Sequence, residues 1–194
     1  MTLRTVLLAA IVGTGLAGLV VGFTVELRLP GDNSGYQPAQ PIAYSHRLHA
    51  GENKIDCQFC HTAAEKSRHA GIPPVSTCMK CHEKIVNRPN SNPKSPELST
   101  EIAKLTKAFK EGQPIQWQRV HRLPAFAFFD HSRHVNGGIT CQTCHGEIQT
   151  MDAVTQARSF TMGDCLNCHR DQNQKRLAAG KPPAAPTNCS ACHH

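Results

Sequence analysis

From Thr5 to Val25 the chain runs 21 residues without a charge, behind a single Arg4. As one helix, that length crosses a bilayer core of about 30 Å. The stretch exceeds a signal-peptide core and lacks a small-x-small cleavage pattern near its end. Residues 1–28 therefore read as an uncleaved membrane anchor with Arg4 on the cytoplasmic side. Ala10, Thr14, Gly18 and Gly22 recur at every fourth position, the spacing at which small residues let two helices pack closely in lipid. Residues 29–43, rich in Gly, Pro and Asn, read as a tether leaving the membrane surface.

One further helical stripe follows. Leu98, Ile102, Leu105 and Phe109 share a face. Ser95-Pro96-Glu97 supplies a cap, a first-turn proline and a first-turn acid, while Gly112 and Pro114 supply the stop. That helix carries no pattern of metal ligands or catalytic groups, so its expected work is packing. Elsewhere apolar positions are sparse. The whole chain is 39% hydrophobic and only 5% aromatic, and much of that apolar content lies in the anchor. What remains is too little to close a core by itself.

The cysteines indicate what fills the interior. All 10 fall in C-x-x-C pairs followed at once by His: Cys57/Cys60/His61, Cys78/Cys81/His82, Cys141/Cys144/His145, Cys165/Cys168/His169 and Cys189/Cys192/His193. Two thiols at this spacing add across the two vinyl groups of one haem, and the adjoining imidazole reaches its iron. A disulfide scaffold, a set of zinc ribbons or a redox C-x-x-C protein does not require a histidine directly after each pair. The reading is five covalently attached haems c, with no cysteine left for a disulfide or a nucleophile.

That cofactor changes the meaning of the charge. The formal net charge is +7, but haem propionates add roughly −10, bringing the reduced holoprotein to about −3. Nothing resembling a basic stripe interleaved with aromatics supports nucleic-acid binding.

Residues 44–61 (YSHRLHAGENKIDCQFCH) and 129–145 (FDHSRHVNGGITCQTCH) are near-repeats, and each is followed by a second haem pair. The expected organisation is a two-haem unit at 44–86, a linker with its helix at 87–120, a second two-haem unit at 121–170, and a fifth haem in 171–194. The fold class is mainly α and irregular, a class III-like multihaem cytochrome c with a haem-filled core behind one N-terminal transmembrane helix.

Seven histidines lie outside the motifs. His46 and His49, and their repeats His131 and His134, stand three apart before a haem pair and can reach two different irons. His69 and His121 complete six candidates for the distal position opposite His61, His82, His145, His169 and His193. His194 is terminal and reads as a poor ligand. Met151 and Met162 are the methionine alternatives, with Met79 less well placed inside a motif.

The segments YSHRLHAGENKIDCQFCH, EKSRHAGIPPVSTCMKCH, RVHRLPAFAFFDHSRHV, CQTCHGEIQTMDAV and FTMGDCLNCHR resemble the pentahaem cytochrome subunit of bacterial alternative complex III. The resemblance covers most of residues 44–170. It implies an electron-transfer subunit with no catalysis of its own, anchored once in the cytoplasmic membrane, its haem domain on the periplasmic side. It also implies an integral-membrane quinol-oxidising partner, an iron–sulfur partner, and a cytochrome c or copper-protein acceptor. An aromatic is expected where Asp164 stands. Two other readings compete: a self-standing membrane quinol dehydrogenase, which would keep an open haem ligand beside the bilayer, and a multihaem reductase, which would need a vacant iron site. The tether argues against the first, and the surplus of histidines against the second.

Overall fold

The computed structural model describes residues 4, 5, 11–15, 33–87 and 99–193. These residues are helical or irregular, and no strand occurs among them. The stretch Thr5–Val25 falls mostly outside the described residues, as do Gly18 and Gly22. Among the described residues no helix is long and apolar enough to cross a membrane.

Residues 4, 5 and 11–15 are helical, and six α-helices follow: α1 (Cys57–Cys60), α2 (Val75–His82), α3 (Thr100–Lys110), α4 (His131–Asn136), α5 (Cys141–His145) and α6 (Met162–Ala178). A π-helical turn, Arg47–Glu52, precedes α1, and 3-10 turns lie at Ile148–Thr150 and Cys189–Ala191. The apolar side chains buried among the described residues are Ala64, Met79 and Leu105. So small a side-chain core matches the sparse apolar content seen in the sequence.

Helix α3 is the apolar stripe, with a different start. Its cap is Ser99, whose hydroxyl accepts from the Ile102 N–H at 3.4 Å. Ser95, Pro96, Glu97 and Leu98 of the stripe lie outside the described residues, and the first-turn acid is Glu101. Ser99 offers the same hydroxyl four residues later, which is why sequence alone favoured the wrong serine. The stop is as expected. Gly112 has φ 63°, its N–H donates to the Phe109 carbonyl at 3.2 Å, and that of Gln113 donates to Ala108 at 2.9 Å. This is the paired bonding of a left-handed glycine stop. Leu105 is buried where α3 packs on α2. The Glu101 carboxylate accepts from the Ala43 N–H and the Lys104 ammonium, each at 2.7 Å.

The two units hold one another by reciprocal contacts. The Arg47 N–H donates to the Met151 carbonyl at 2.9 Å, and the Ser132 N–H donates to the Ser67 carbonyl at 3.2 Å. Arg47 and Ser132 each follow the first histidine of a repeat, while Ser67 and Met151 each stand six residues past a motif histidine. A second reciprocal pair sits beside the first. Gly51 abuts the Gln149 carbonyl, and the Asn136 side-chain amide donates to the Glu65 carbonyl at 3.0 Å. Each repeat therefore lays its histidine-bearing turn against the loop following the other repeat's first motif.

The described part of the tether does not hang free. The Gly35 N–H donates to the Gln156 carbonyl at 2.9 Å, and the Gln156 N–H to the Tyr36 carbonyl at 3.1 Å. The Gln37 amide reaches the Ala153 carbonyl at 2.8 Å, and Gln40 and Gln118 exchange two bonds of 2.9 Å. Gln156 is fully buried. Its side chain donates to the Arg158 carbonyl and accepts from the Arg122 N–H, so a polar group in the interior keeps its partners.

Candidate functional site

Each C-x-x-C-H segment folds as a helical turn. The first is α1, capped by Asp56, whose carboxylate accepts from the Gln58 N–H at 2.7 Å. The second ends α2, the third is α5, the fourth lies in the first half of α6, and the fifth is the 3-10 turn at Cys189–Ala191. Helical geometry puts residues i and i+3 on one side, so both thiols of a pair face the same way. None of the ten cysteines is in a disulfide.

The imidazoles are oriented through one nitrogen. The Nδ1–H of His61 donates to the Gly71 carbonyl at 2.6 Å, that of His82 to Ile85 at 2.8 Å, and that of His193 to Phe126 at 3.0 Å. His169 bonds the Pro186 carbonyl in the same way. Outside the motifs, His49 donates to Ser45, His131 to Arg68 and His134 to Asp130, each at 2.8 Å. A carbonyl has no proton to give, so each of these rings carries its proton on Nδ1 and keeps the Nε2 lone pair free. That is the tautomer and orientation of a metal-ligating histidine.

These rings then face each other in pairs. Ring centroids are 5.9 Å apart for His49 and His82, 6.1 Å for His134 and His169, and 6.4 Å for His131 and His145. Two imidazoles bound to opposite sides of one metal through bonds of about 2.0 Å have centroids roughly 6 Å apart. The histidines converge in twos. No group of three or more His, Cys, Asp or Glu among the described residues could hold a metal ion. Two axial imidazoles suit an iron already held by a macrocycle, whereas a protein-only zinc site needs three or four ligands.

Both repeats orient their distal histidines with the same aromatic clamp. Tyr44 stacks on His49 at 4.4 Å and meets His46 edge-on at 4.9 Å. Phe129 stacks on His134 at 4.4 Å and meets His131 edge-on at 4.8 Å. Burial pushes the Tyr44 phenol well above its ordinary pKa, reinforced by the neighbouring thiols of Cys60 and Cys78.

His46 is the half-buried counterpart of His131, and its buried Nδ1 has no hydrogen-bond partner in the structure. Burial, followed by the charges of His61, His49 and His121, lowers its pKa to about 4. His145 falls to about 3, from burial first and then His121, His131, His61 and His46. Both are neutral at pH 7 and keep a lone pair for a metal.

The remaining candidates are placed differently. His121 lies against His145, with rings 4.4 Å apart at 88°. His69 is exposed on the loop between α1 and α2. Its neighbour Arg68 stands over the Phe128 ring at 4.6 Å, and the Phe128 N–H donates to the Cys192 carbonyl at 2.8 Å. The His69 loop and the fifth motif thus meet through one shared aromatic. Met162 is 67% exposed, Met79 is buried, and Met151 lies half-buried with its methyl near Gly146. His194 lies outside the described residues.

The motifs are also neighbours of one another. The Cys57 and Cys141 side chains are neighbours. Burial and then neighbouring thiols raise Cys60 (near Cys57 and Cys81) and Cys165 (near Cys192 and Cys144). Cys144 is raised by burial and feels Cys168. In space the motifs therefore follow the order second, first, third, fourth, fifth.

Sequence reasoning did not assign work to Tyr44, Phe129, Gln156 or the carbonyls that fix the rings. The aromatic-x-His pattern signalled the first two. Main-chain acceptors leave no signal in residue identity. Asp164 acts locally, closing a capping box with Thr161 at the start of α6 and accepting from Ser159 at 2.6 Å.

Residues 127–194, which carry the last three motifs, match the family described as cytochrome c7 and related cytochrome c. The chain is also 24% identical over 177 residues to the multihaem cytochrome c subunit of a menaquinone reductase from Nitratidesulfovibrio vulgaris, covering 81% of this chain and 78% of that one. Both similarities are to multihaem cytochromes c, in keeping with the paired imidazoles and the cysteine pairs that are in no disulfide.

Proposed function

We propose that the chain is a pentahaem electron-transfer subunit of a quinone-linked membrane oxidoreductase of the alternative complex III type, with no substrate chemistry of its own. The observation that carries this reading is the facing of histidines in pairs roughly 6 Å apart, because an iron held by two imidazoles exchanges electrons and has no open site for a substrate. Haem iron supplies the reversible one-electron chemistry; the chain supplies attachment, orientation and spacing.

In this reading the ten motif cysteines form the thioethers, and His61, His82, His145, His169 and His193 are the proximal ligands. His49 serves opposite His82, His134 opposite His169, and His131 opposite His145. The repeat assigns His46 opposite His61. His69 is the histidine left for the fifth site, supported by the contact of its loop with the fifth motif through Arg68 and Phe128. The motif order gives two ends, Cys78–His82 beside α3 and Cys189–His193 near the C-terminus.

Residues 1–28 anchor the chain in the cytoplasmic membrane, with the haem domain on the periplasmic side. An integral-membrane quinol-oxidising subunit and an iron–sulfur subunit deliver electrons, and a cytochrome c or copper protein takes them. The opposite direction, toward menaquinone, is favoured by the name of the N. vulgaris relative, a menaquinone reductase subunit. Stopped-flow absorbance tests the outward direction. Rapid reduction of the haems by a quinol analogue in the intact complex, with slow or no reduction of the isolated subunit, supports the outward reading. Fast reduction of the isolated subunit would instead make it a dehydrogenase in its own right.

A further inference from the structure

His145 is the exception among the motif histidines. The other four aim Nδ1 at a main-chain carbonyl, whereas His145 aims Nδ1 at the Nε2 of His121, 3.2 Å away. The two rings stand nearly perpendicular, at 88°. A histidine that binds iron through Nε2 has its proton on Nδ1 and must donate there, so His121 accepts and carries its own proton on Nδ1.

His121 is braced for this. Arg119 Nε donates to its carbonyl at 3.0 Å, Phe160 lies 6.1 Å from its ring, and the next residue, Arg122, bonds the buried Gln156. The position opposite His145 is taken by His131, whose ring is parallel to it within 6° at 6.4 Å. At 4.4 Å, His121 is too close to His145 for an iron to lie between them.

We infer that His121 is a positioning residue that fixes His145 and makes it a stronger ligand, so that the third haem has a lower potential than a carbonyl-backed site would give. This rests on the reading of His145 as an iron ligand. An imidazole nitrogen is a stronger base than an amide oxygen and draws more on the shared N–H. The ligand becomes more imidazolate-like, which favours ferric iron. The third motif stands in the middle of the spatial order, beside the first through Cys57 and Cys141, so this tuning acts between the two ends of the series.

The test uses the full-length holoprotein and its His121→Phe and His121→Gln variants, followed by redox titration with electron paramagnetic resonance. Mass measurement of the denatured wild-type chain comes first, because absence of covalent haem would sink the underlying reading separately. The expected result in His121→Phe is that all haems stay low-spin while one shifts toward reduction, by about tenfold in its oxidised-to-reduced ratio at fixed potential. His121→Gln keeps an acceptor and recovers part of that shift. A new high-spin signal with carbon monoxide binding in either variant would make His121 an axial ligand and overturn the inference. Unmoved potentials in both would overturn it as well. If His121→Phe does not fold, the Gln variant decides: a smaller shift in the same direction supports the inference, and no shift overturns it.

Discussion

A β-carbon at Gly51 would stand 2.3 Å from the carbonyl oxygen of Gln149. The approach joins the π-helical turn of the first repeat to the 3-10 turn of the second. Glycine is required there by proximity, since a backbone oxygen has no freedom to move aside.

Gly51→Ala should therefore separate the two turns, costing about 1–3 kcal/mol as an overpacking change does. The counterpart contact, from Asn136 to the Glu65 carbonyl, is a single hydrogen bond. Asn136→Ala should cost only about 1 kcal/mol. Thermal unfolding of the holoprotein followed in the Soret region gives both values, and equal costs would contradict the steric account.

Tyr44→Leu and Phe129→Leu should behave as twins, since each ring stacks on one distal histidine at 4.4 Å and meets another edge-on. Each is expected to cost about 0.5–1.5 kcal/mol beyond lost area and to rotate the stacked imidazole. The readout is a changed g-value in one low-spin signal per variant with haem content intact. Spectra identical to wild type would show that the ligands are held by their Nδ1 bonds alone.

His49→Ala and His134→Ala should each open one iron, giving one high-spin haem that binds carbon monoxide. His49→Met should keep that haem low-spin and raise its potential. His69→Ala should open the fifth site by the same criterion. A spectrum without high-spin haem after the His69 change would hand that position to another residue.

Asp164→Ala should cost about 1 kcal/mol by removing the capping box of α6, with the number of covalent haems unchanged. Hydrogen bonds from Ser159 and then Thr161 hold the Asp164 carboxyl below its ordinary pKa. Its contribution is thus present above the unfolded value of about 3.9 and lost as pH falls through the lower folded value. Wild type and Asp164→Ala should converge in stability in that acid range. A constant gap down to the lowest pH would mean that the ionised carboxylate plays no part.

The motifs and the repeat were legible because covalent chemistry and duplication both leave fixed spacings. His46, His49, His131 and His134 could be singled out for that reason. Their pairing could not, because which ring faces which depends on chain crossings that no local pattern encodes. His121 shows the limit most clearly: a histidine three residues from a proline reads alike whether it binds a metal or backs a ligand. Ser99 shows another, since two serines four apart both satisfy the rules for a helix start. Residues 29–43 read as a tether from their Gly and Pro content, yet Gln37 and the main chain around Tyr36 fasten the described part to the second unit, and Gln40 fastens it to the linker. Composition reports stiffness, not attachment.

The crosswise bonds, Arg47 to Met151 and Ser132 to Ser67, have the form of an isologous interface, in which residue i meets j and j meets i. In separate molecules that pattern belongs to a two-fold homodimer. Here both halves lie on one polypeptide, as they would if an ancestral two-haem dimer had been fused end to end. Such a fusion would free the halves to diverge. One now backs its first motif histidine with a Gly71 carbonyl and the other with an imidazole, a difference that a symmetric dimer could not have acquired in one partner alone.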